Sequence, residues 1–157
     1  MLKGSESIAW CAADINKLPI KYDSFDGVIC FGVTQALGSS ETIIQGLAKT
    51  TKHGGQIWID ALNGRCLPHL WERFNRWFRK RPMHLRYESH QNLRHLLKSN
   101  NIVNIKLYWL PILPSRWNRF QWIVETRFAK WCLQTVPFLG QLFSHAFVLR
   151  GERAKYE

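Results

Sequence analysis

Two short apolar runs, Asp26 to Val33 (DGVICFGV) and Gln56 to Leu62 (QIWIDAL), flank a segment with helical periodicity. Each run is too short for a buried helix and too apolar for a strand wetted on one face, so each reads as a strand buried on both sides. Between them Ser39 or Ser40 can cap a helix with Glu41 in its first turn and Ile43, Ile44, Leu47 and Ala48 on one face. That helix is expected to end at a Lys52-His53-Gly54-Gly55 turn. A strand, a crossover helix and a second strand at this spacing imply parallel pairing, hence an α/β fold with helices covering both faces of the sheet. Ligands of such sheets sit beyond the carboxyl ends of the strands. Those ends are Asp14, the Phe31-Gly32-Val33 corner and Asp60.

The rest of the chain extends the pattern. Ser7 to Ala13 reads as a strand ending at Asp14, and Asn16 to Ser24 as a loop in which Pro19 blocks helix. Leu67 to Lys80 places Leu67, Leu70, Trp71, Phe74, Trp77 and Phe78 at helical spacing opposite a largely basic face, with Pro68 in the first turn and Pro82 as the stop. This helix is expected either to cover a substrate site or to dock on an anionic membrane. Ser89 can cap a helix carrying Leu93, Leu96 and Leu97 that ends at Asn100-Asn101, and Ile102 to Leu110 reads as a strand. After the Pro111 to Pro114 connector, Ser115 can cap a helix with Trp117, Phe120, Val124, Phe128 and Trp131 on one face. Trp131 to Leu149 lacks Asp, Glu, Lys and Arg, but its glutamines, Pro137, Gly140 and His145 argue against a membrane span. It reads as a loop followed by a buried strand, Phe143 to Leu149.

A chain of 157 residues, 46% hydrophobic and 21% charged, suits one globular domain over residues 1–157. Its positive charge is local. Residues 65–130 hold fourteen basic and three acidic side chains and five of the eight tryptophans, whereas residues 1–64 hold five basic and six acidic. Such a segment suits an anionic membrane surface, an acidic substrate or nucleic acid. Cys11, Cys30, Cys66 and Cys132 are widely spaced without a CxxC, and three lie in apolar runs, which fits reduced thiols and a cytoplasmic location. The amino terminus has no signal-peptide pattern. Cys66-Leu67-Pro68-His69 has a zinc-like spacing but lacks a second half, and His90 and His95 do not share a helix face, so no metal is expected. No P-loop or GxSxG element is present.

The residues also carry a family pattern. Asp14-Ile15-Asn16-Lys17-Leu18-Pro19, then Phe25-Asp26-Gly27-Val28, then Lys52-His53-Gly54-Gly55 resembles the middle of a class I S-adenosylmethionine-dependent methyltransferase. The resemblance is densest over residues 8–62. Tyr87 to Tyr108 resembles the next helix and strand of that family, and Phe138 to Arg150 its closing strand. It implies a partial Rossmann-like sheet, mostly parallel with an antiparallel last strand. Residues 1–62 would form the cofactor-side core, and residues 63–157 a carboxyl-terminal part with basic, tryptophan-rich additions on the substrate side.

By resemblance, Asp14 is the acid that meets the adenine amino group, Ile15 the apolar residue beside the ring, and Cys30, Phe31 and Gly32 the strand end lining the methionine part. Gly54-Gly55 would be structural. The family's glycine-rich loop and ribose-binding acid have no match, so its first two strands are expected to be missing and the side of the Asp26 to Val33 strand that they would flank to be open. Met1-Leu2-Lys3 resembles the helix after the second of them. Many relatives have a histidine-containing segment where this chain reads Val33-Thr34-Gln35-Ala36-Leu37, so the resemblance assigns no catalytic base. Gln35 could orient an acceptor.

The implied function is methyl transfer from S-adenosylmethionine to a small or lipid-linked acceptor, with the chain alone expected to bind that co-substrate weakly or not at all. A peripheral membrane position and a partner chain supplying strands follow as expectations. The competing reading is a non-catalytic basic α/β module on an anionic membrane surface or, less favoured, on nucleic acid.

Overall fold

The structure, a computed structural model, describes residues 10–36, 39–80, 85–111, 119 and 121–155. A short 3-10 turn, Ile15–Lys17, precedes strand β1 (Phe25–Cys30), helix α1 (Ser40–Thr50) and strand β2 (Thr51–Leu62). Helices α2 (Leu67–Phe78) and α3 (His90–Ser99) lead to strand β3 (Ile102–Leu110). Three short helices, α4 (Gln121–Glu125), α5 (Arg127–Thr135) and α6 (Pro137–Phe143), lead to strand β4 (Ala146–Arg153).

The sheet order is β1-β2-β4-β3. β1 runs parallel to β2, and β4 lies antiparallel between β2 and β3. The mixed sheet expected from the sequence is thus present, with its last strand reversed. Ser39 caps α1, its hydroxyl accepting from the Thr42 amide. Ile43, Ile44, Leu47 and Ala48 of that helix pack with Ile57, Ile59 and Ala61 of β2, Phe147 and Leu149 of β4, and Leu93 and Leu97 of α3 in one core. Fully burying an aliphatic side chain of this kind is worth about 1.5–3 kcal/mol, so these positions decide which face of each element turns inward.

Alternate residues point to the other face of the sheet. There Trp58 stacks on Tyr108 with ring centroids 6.0 Å apart, the Arg150 guanidinium lies 5.5 Å over Trp58, and Ile29 is 69% exposed. β1 is an edge strand, and among the described residues nothing pairs with its far side.

Several expected boundaries move. Trp10 to Ala13 is irregular and exposed, not a strand; residues 7–9 lie outside the described residues. The resemblance implies a strand order 3-2-1-4-5-7-6, with two strands between this segment and β1, and a strand with no neighbour to hydrogen-bond does not form. Cys11 is therefore exposed, while Cys30 and Cys66 are buried and all four cysteines are free. β1 stops at Cys30, where the chain turns away. β2 starts at Thr51, directly after α1, so Lys52 to Gly55 is a bulged strand start. Gly54 has φ +77°, and a Cβ on Gly55 would sit 2.7 Å from the Thr51 methyl and 2.9 Å from the Asp26 carbonyl.

The single helix expected from Ser115 to Trp131 is divided in its described part. Thr126 interrupts it and caps α5, accepting from the Ala129 amide at 3.2 Å. Ser115, Trp117 and Phe120 lie outside the described residues, as do Pro82 and Met1 to Lys3. The expected loop after Trp131 is helical, because Pro137 sits in the first turn of α6, where its missing N–H costs nothing. The closing strand accordingly begins at Ala146, not Phe143.

Candidate functional site

The carboxyl end of β1 is built as a corner. Beyond Cys30 the chain passes through exposed Phe31 to Gly32, whose φ of +74° is a conformation that glycine adopts without a Cβ clash. The Gly32 amide donates to Asp60 Oδ1 at 2.8 Å, and the Thr34 hydroxyl donates to the Asp60 carbonyl at 2.8 Å. Asp60 lies on β2 beside Ile59, the residue paired with Cys30, so one residue of the neighbouring strand holds the corner twice. Burial, and secondarily the Asp60 charge, pushes the Cys30 thiol up to about 11. It is a protonated wall at neutral pH and not a nucleophile.

Asp14 caps the 3-10 turn, its Oδ1 accepting from the Asn16 amide at 2.9 Å and the Asn16 side chain at 3.0 Å. Among the described residues nothing donates to its other carboxylate oxygen. Ile15 packs against the core cluster that contains Cys30, and the turn lies on α1 at Gly46, where a Cβ would meet the Ile15 carbonyl at 3.6 Å. Of the five expected contact residues, Ile15 and Cys30 thus share one core, Phe31 and Gly32 continue from it, and Asp14 stands on the rim making local bonds.

Other residues at this edge were not singled out from the sequence. Glu88, 7% exposed, accepts from the Ser40 hydroxyl at 2.7 Å and pairs with Arg86 at 2.8 Å, while its backbone N–H donates to the Leu62 carbonyl. It ties the start of α1 to the end of β2. The Arg86 amide donates to the Gln35 carbonyl, holding the segment after the corner to the stretch that leads into α3. Asn63 Nδ2 donates to the carbonyls of Gln141 and Ser144, which fixes the entry to β4. A lone glutamate before a helix and a lone asparagine after a strand carry no sequence signal that could have linked them to partners so distant in the chain.

Beside them lie the rings of His69, Tyr87 and His145. His69 stacks on Tyr87 with centroids 3.5 Å apart, and His145 meets Tyr87 edge-on at 5.9 Å. His145 Nδ1 lies 3.8 Å from the Cys66 sulfur. Burial holds both imidazoles below their ordinary value and raises the Cys66 thiol. The zinc-like spacing resolves into this packed cluster: the thiol faces His145, distant in sequence. A groove of about 790 Å³ lined by Arg94, Lys98 and Lys106 lies at the amino end of β3, the wrong end of the sheet for a ligand of this fold.

α2 has the expected amphipathic pattern, and its apolar face is the exposed one. Its only buried residue is His69, and Trp71, Phe74, Trp77 and Phe78 are all exposed.

The order β1-β2-β4-β3, with one reversed strand and a glycine corner beyond β1, is the one that the resemblance to class I S-adenosylmethionine-dependent methyltransferases implies for the 4-5-7-6 half of the sheet. Residues 2–59 match the family model of a methyltransferase domain. Solved structures agree. A methyltransferase from Thermotoga maritima, described as a possible histamine N-methyltransferase, superposes with a TM-score of 0.61 at 16% identity, covering 90% of this chain and 61% of that one. Phosphoethanolamine N-methyltransferase 2 of Haemonchus contortus, solved with phosphomonomethylethanolamine and S-adenosylhomocysteine, gives 0.58 at 12% identity over 90% and 36%. The YcgJ protein of Bacillus subtilis gives 0.57 at 20% identity over 92% and 70%. No curated protein sequence matches the chain. The chain spans about three fifths and one third of the length of the first two structures.

Proposed function

We propose that the protein serves S-adenosylmethionine-dependent methyl transfer to a small or lipid-linked acceptor. The observation that carries this reading is the β1 corner, where Asp60 holds Gly32 in a positive-φ turn beyond the carboxyl end of the strand. The residues fit one side of the co-substrate. Asp14 would accept from the adenine amino group, Ile15 would pack beside the ring, and Cys30, Phe31 and Gly32 would line the methionine part. Among the described residues a Cβ on Gly32 would meet only the Gln35 side chain, at 3.7 Å, so they leave the backbone there open to close approach. The described residues supply no counterpart of the ribose-binding acid.

When bound, the sulfonium supplies an activated methyl group, so the chemistry needs mainly alignment of acceptor, methyl carbon and sulfur. Gln35, next to the corner, would orient the acceptor. Small amines are named for the Thermotoga and Haemonchus proteins, which supports a small acceptor here; the exposed aromatic face of α2 supports a lipid-linked one. That same face favours the second reading, a basic module on an anionic membrane. Either reading suits a cytoplasmic protein at the membrane surface, with a partner chain able to add strands at β1.

Isothermal titration with S-adenosylmethionine tests the cofactor side. The expectation is weak or absent binding by the chain alone. Charge-assisted hydrogen bonds are worth roughly 1.5–3 kcal/mol each, and losing two costs about two to four orders of magnitude in affinity. Micromolar binding abolished by Asp14→Ala would instead show a complete site.

A further inference from the structure

We propose that the protein docks on an anionic lipid surface through two aromatic helix faces, that of α2 and that of α4–α6, lying on the bilayer without crossing it. The inference deepens the lipid-linked reading above and rests on it for its purpose, but the docking step needs no cofactor. α2 buries one residue of twelve, and Trp77 and Phe78 are 76% and 77% exposed. Trp71, Phe74 and Trp77, three apart, form a row with successive ring centroids at 6.4 and 6.2 Å. One face of the helix is thus already arranged as an apolar strip.

A second strip stands beside it. Trp122, Phe128, Trp131 and Phe138 are each more than 60% exposed, and Phe128 stacks on Trp131 at 6.2 Å. α6 touches α2, α5 touches α6 and α4 touches α5, so the helices that carry the two strips form one contiguous layer. Apolar patches of this extent on a globular protein mark an interaction site.

Charge selects the occupant. Of the three acids in residues 65–130, Glu72 is paired with Arg76 at 2.7 Å and Glu88 is buried against Ser40 and Arg86, which leaves Glu125 against a large basic excess. On the aromatic helices and their ends Arg73, Arg76, Arg79, Lys80, Arg127 and Lys130 outnumber Glu72 and Glu125, an excess that draws an anionic surface. Leu67, Leu70 and Ile123 stand exposed among the rings, and aliphatic side chains suit acyl chains better than stacked bases. No described helix is long and apolar enough to cross a membrane.

The test is co-sedimentation of the whole chain with vesicles of phosphatidylcholine alone and of phosphatidylcholine mixed with phosphatidylglycerol. Binding is expected to the mixed vesicles, weakened by salt. The double variants W71S/W77S and F128S/W131S should each lose roughly tenfold in affinity, while Ile29→Ser, an exposed apolar change on β1, leaves it intact. Circular dichroism confirms that each variant is folded. Equal pelleting with both vesicle types, undiminished binding by both double variants, or displacement by a single-stranded oligonucleotide would overturn the proposal. Vesicle binding that persists while no methyl transfer is detected at saturating S-adenosylmethionine overturns the methyltransferase reading alone.

Discussion

At the scale of the residue, a missing side chain decides where α6 can sit. A Cβ on Gly140 would overlap the Trp109 indole and lie 2.5 Å from the Leu133 carbonyl, so only glycine lets α6 close on β3. Gly140→Ala should destabilise the fold by about 1–3 kcal/mol in urea unfolding, whereas Gly27→Ala, whose Cβ would approach the Gln56 carbonyl no closer than 3.8 Å, should be close to neutral. The buried imidazoles set a pH dependence. Burial holds His69 and His145 below the ordinary 6.5, and Glu72, which favours the charged form, only partly opposes it. As pH falls through 6.5 the unfolded chain takes up protons that the folded chain refuses, so stability drops from there down to the folded-state values. His69→Gln should flatten that slope, read as urea midpoints on either side of 6.5.

Among elements, the joint between α1, β2 and α3 carries more than its helices do separately. Glu88 receives Ser40 from α1, its amide bonds Leu62 at the end of β2, and Ser89 beside it begins α3. Glu88→Ala leaves the buried Ser40 hydroxyl without its acceptor and should cost about 1–3 kcal/mol, while Glu88→Gln, which can still accept, should cost less. Equilibrium unfolding of the two variants checks the order. At the other end of the sheet, Arg153 of β4 bonds both the Asp23 carboxylate and the Thr51 carbonyl, clasping the start of β2.

For the whole molecule, the edge of β1, which has no strand partner among the described residues, is the main liability. An unpaired strand offers its amides and carbonyls to another chain. Phe25 and Ile29 stand exposed on it at 43% and 69%. The protein should self-associate in analytical ultracentrifugation as concentration rises, and Ile29→Lys should shift it toward monomer. A wild-type chain that remains monomeric throughout would show that this edge is protected.

The strongest periodicities could be read from the sequence. The helix capped at Ser39, the strand Ile102–Leu110 and the amphipathic helix from Leu67 follow from side-chain spacing within one element, and the Asp-Leu-Pro, Phe-Asp and Gly-Gly series pointed to the fold family. Local pattern also named the corner residues Phe31 and Gly32 and the acid Asp60. What it did not contain was partnership. Trp10 to Ala13 has a strand's composition, but a strand exists only by hydrogen bonding to a neighbour, and none adjoins it among the described residues. The loop expected after Trp131 is helical because α6 packs through Gly140 onto Trp109, a contact across 31 residues of chain. The aromatic face of α2 had the periodicity of a buried helix; whether it faces core or solvent depends on what the rest of the chain brings against it. Spacing along a chain determines which residues share a face, and only the tertiary structure determines what that face meets.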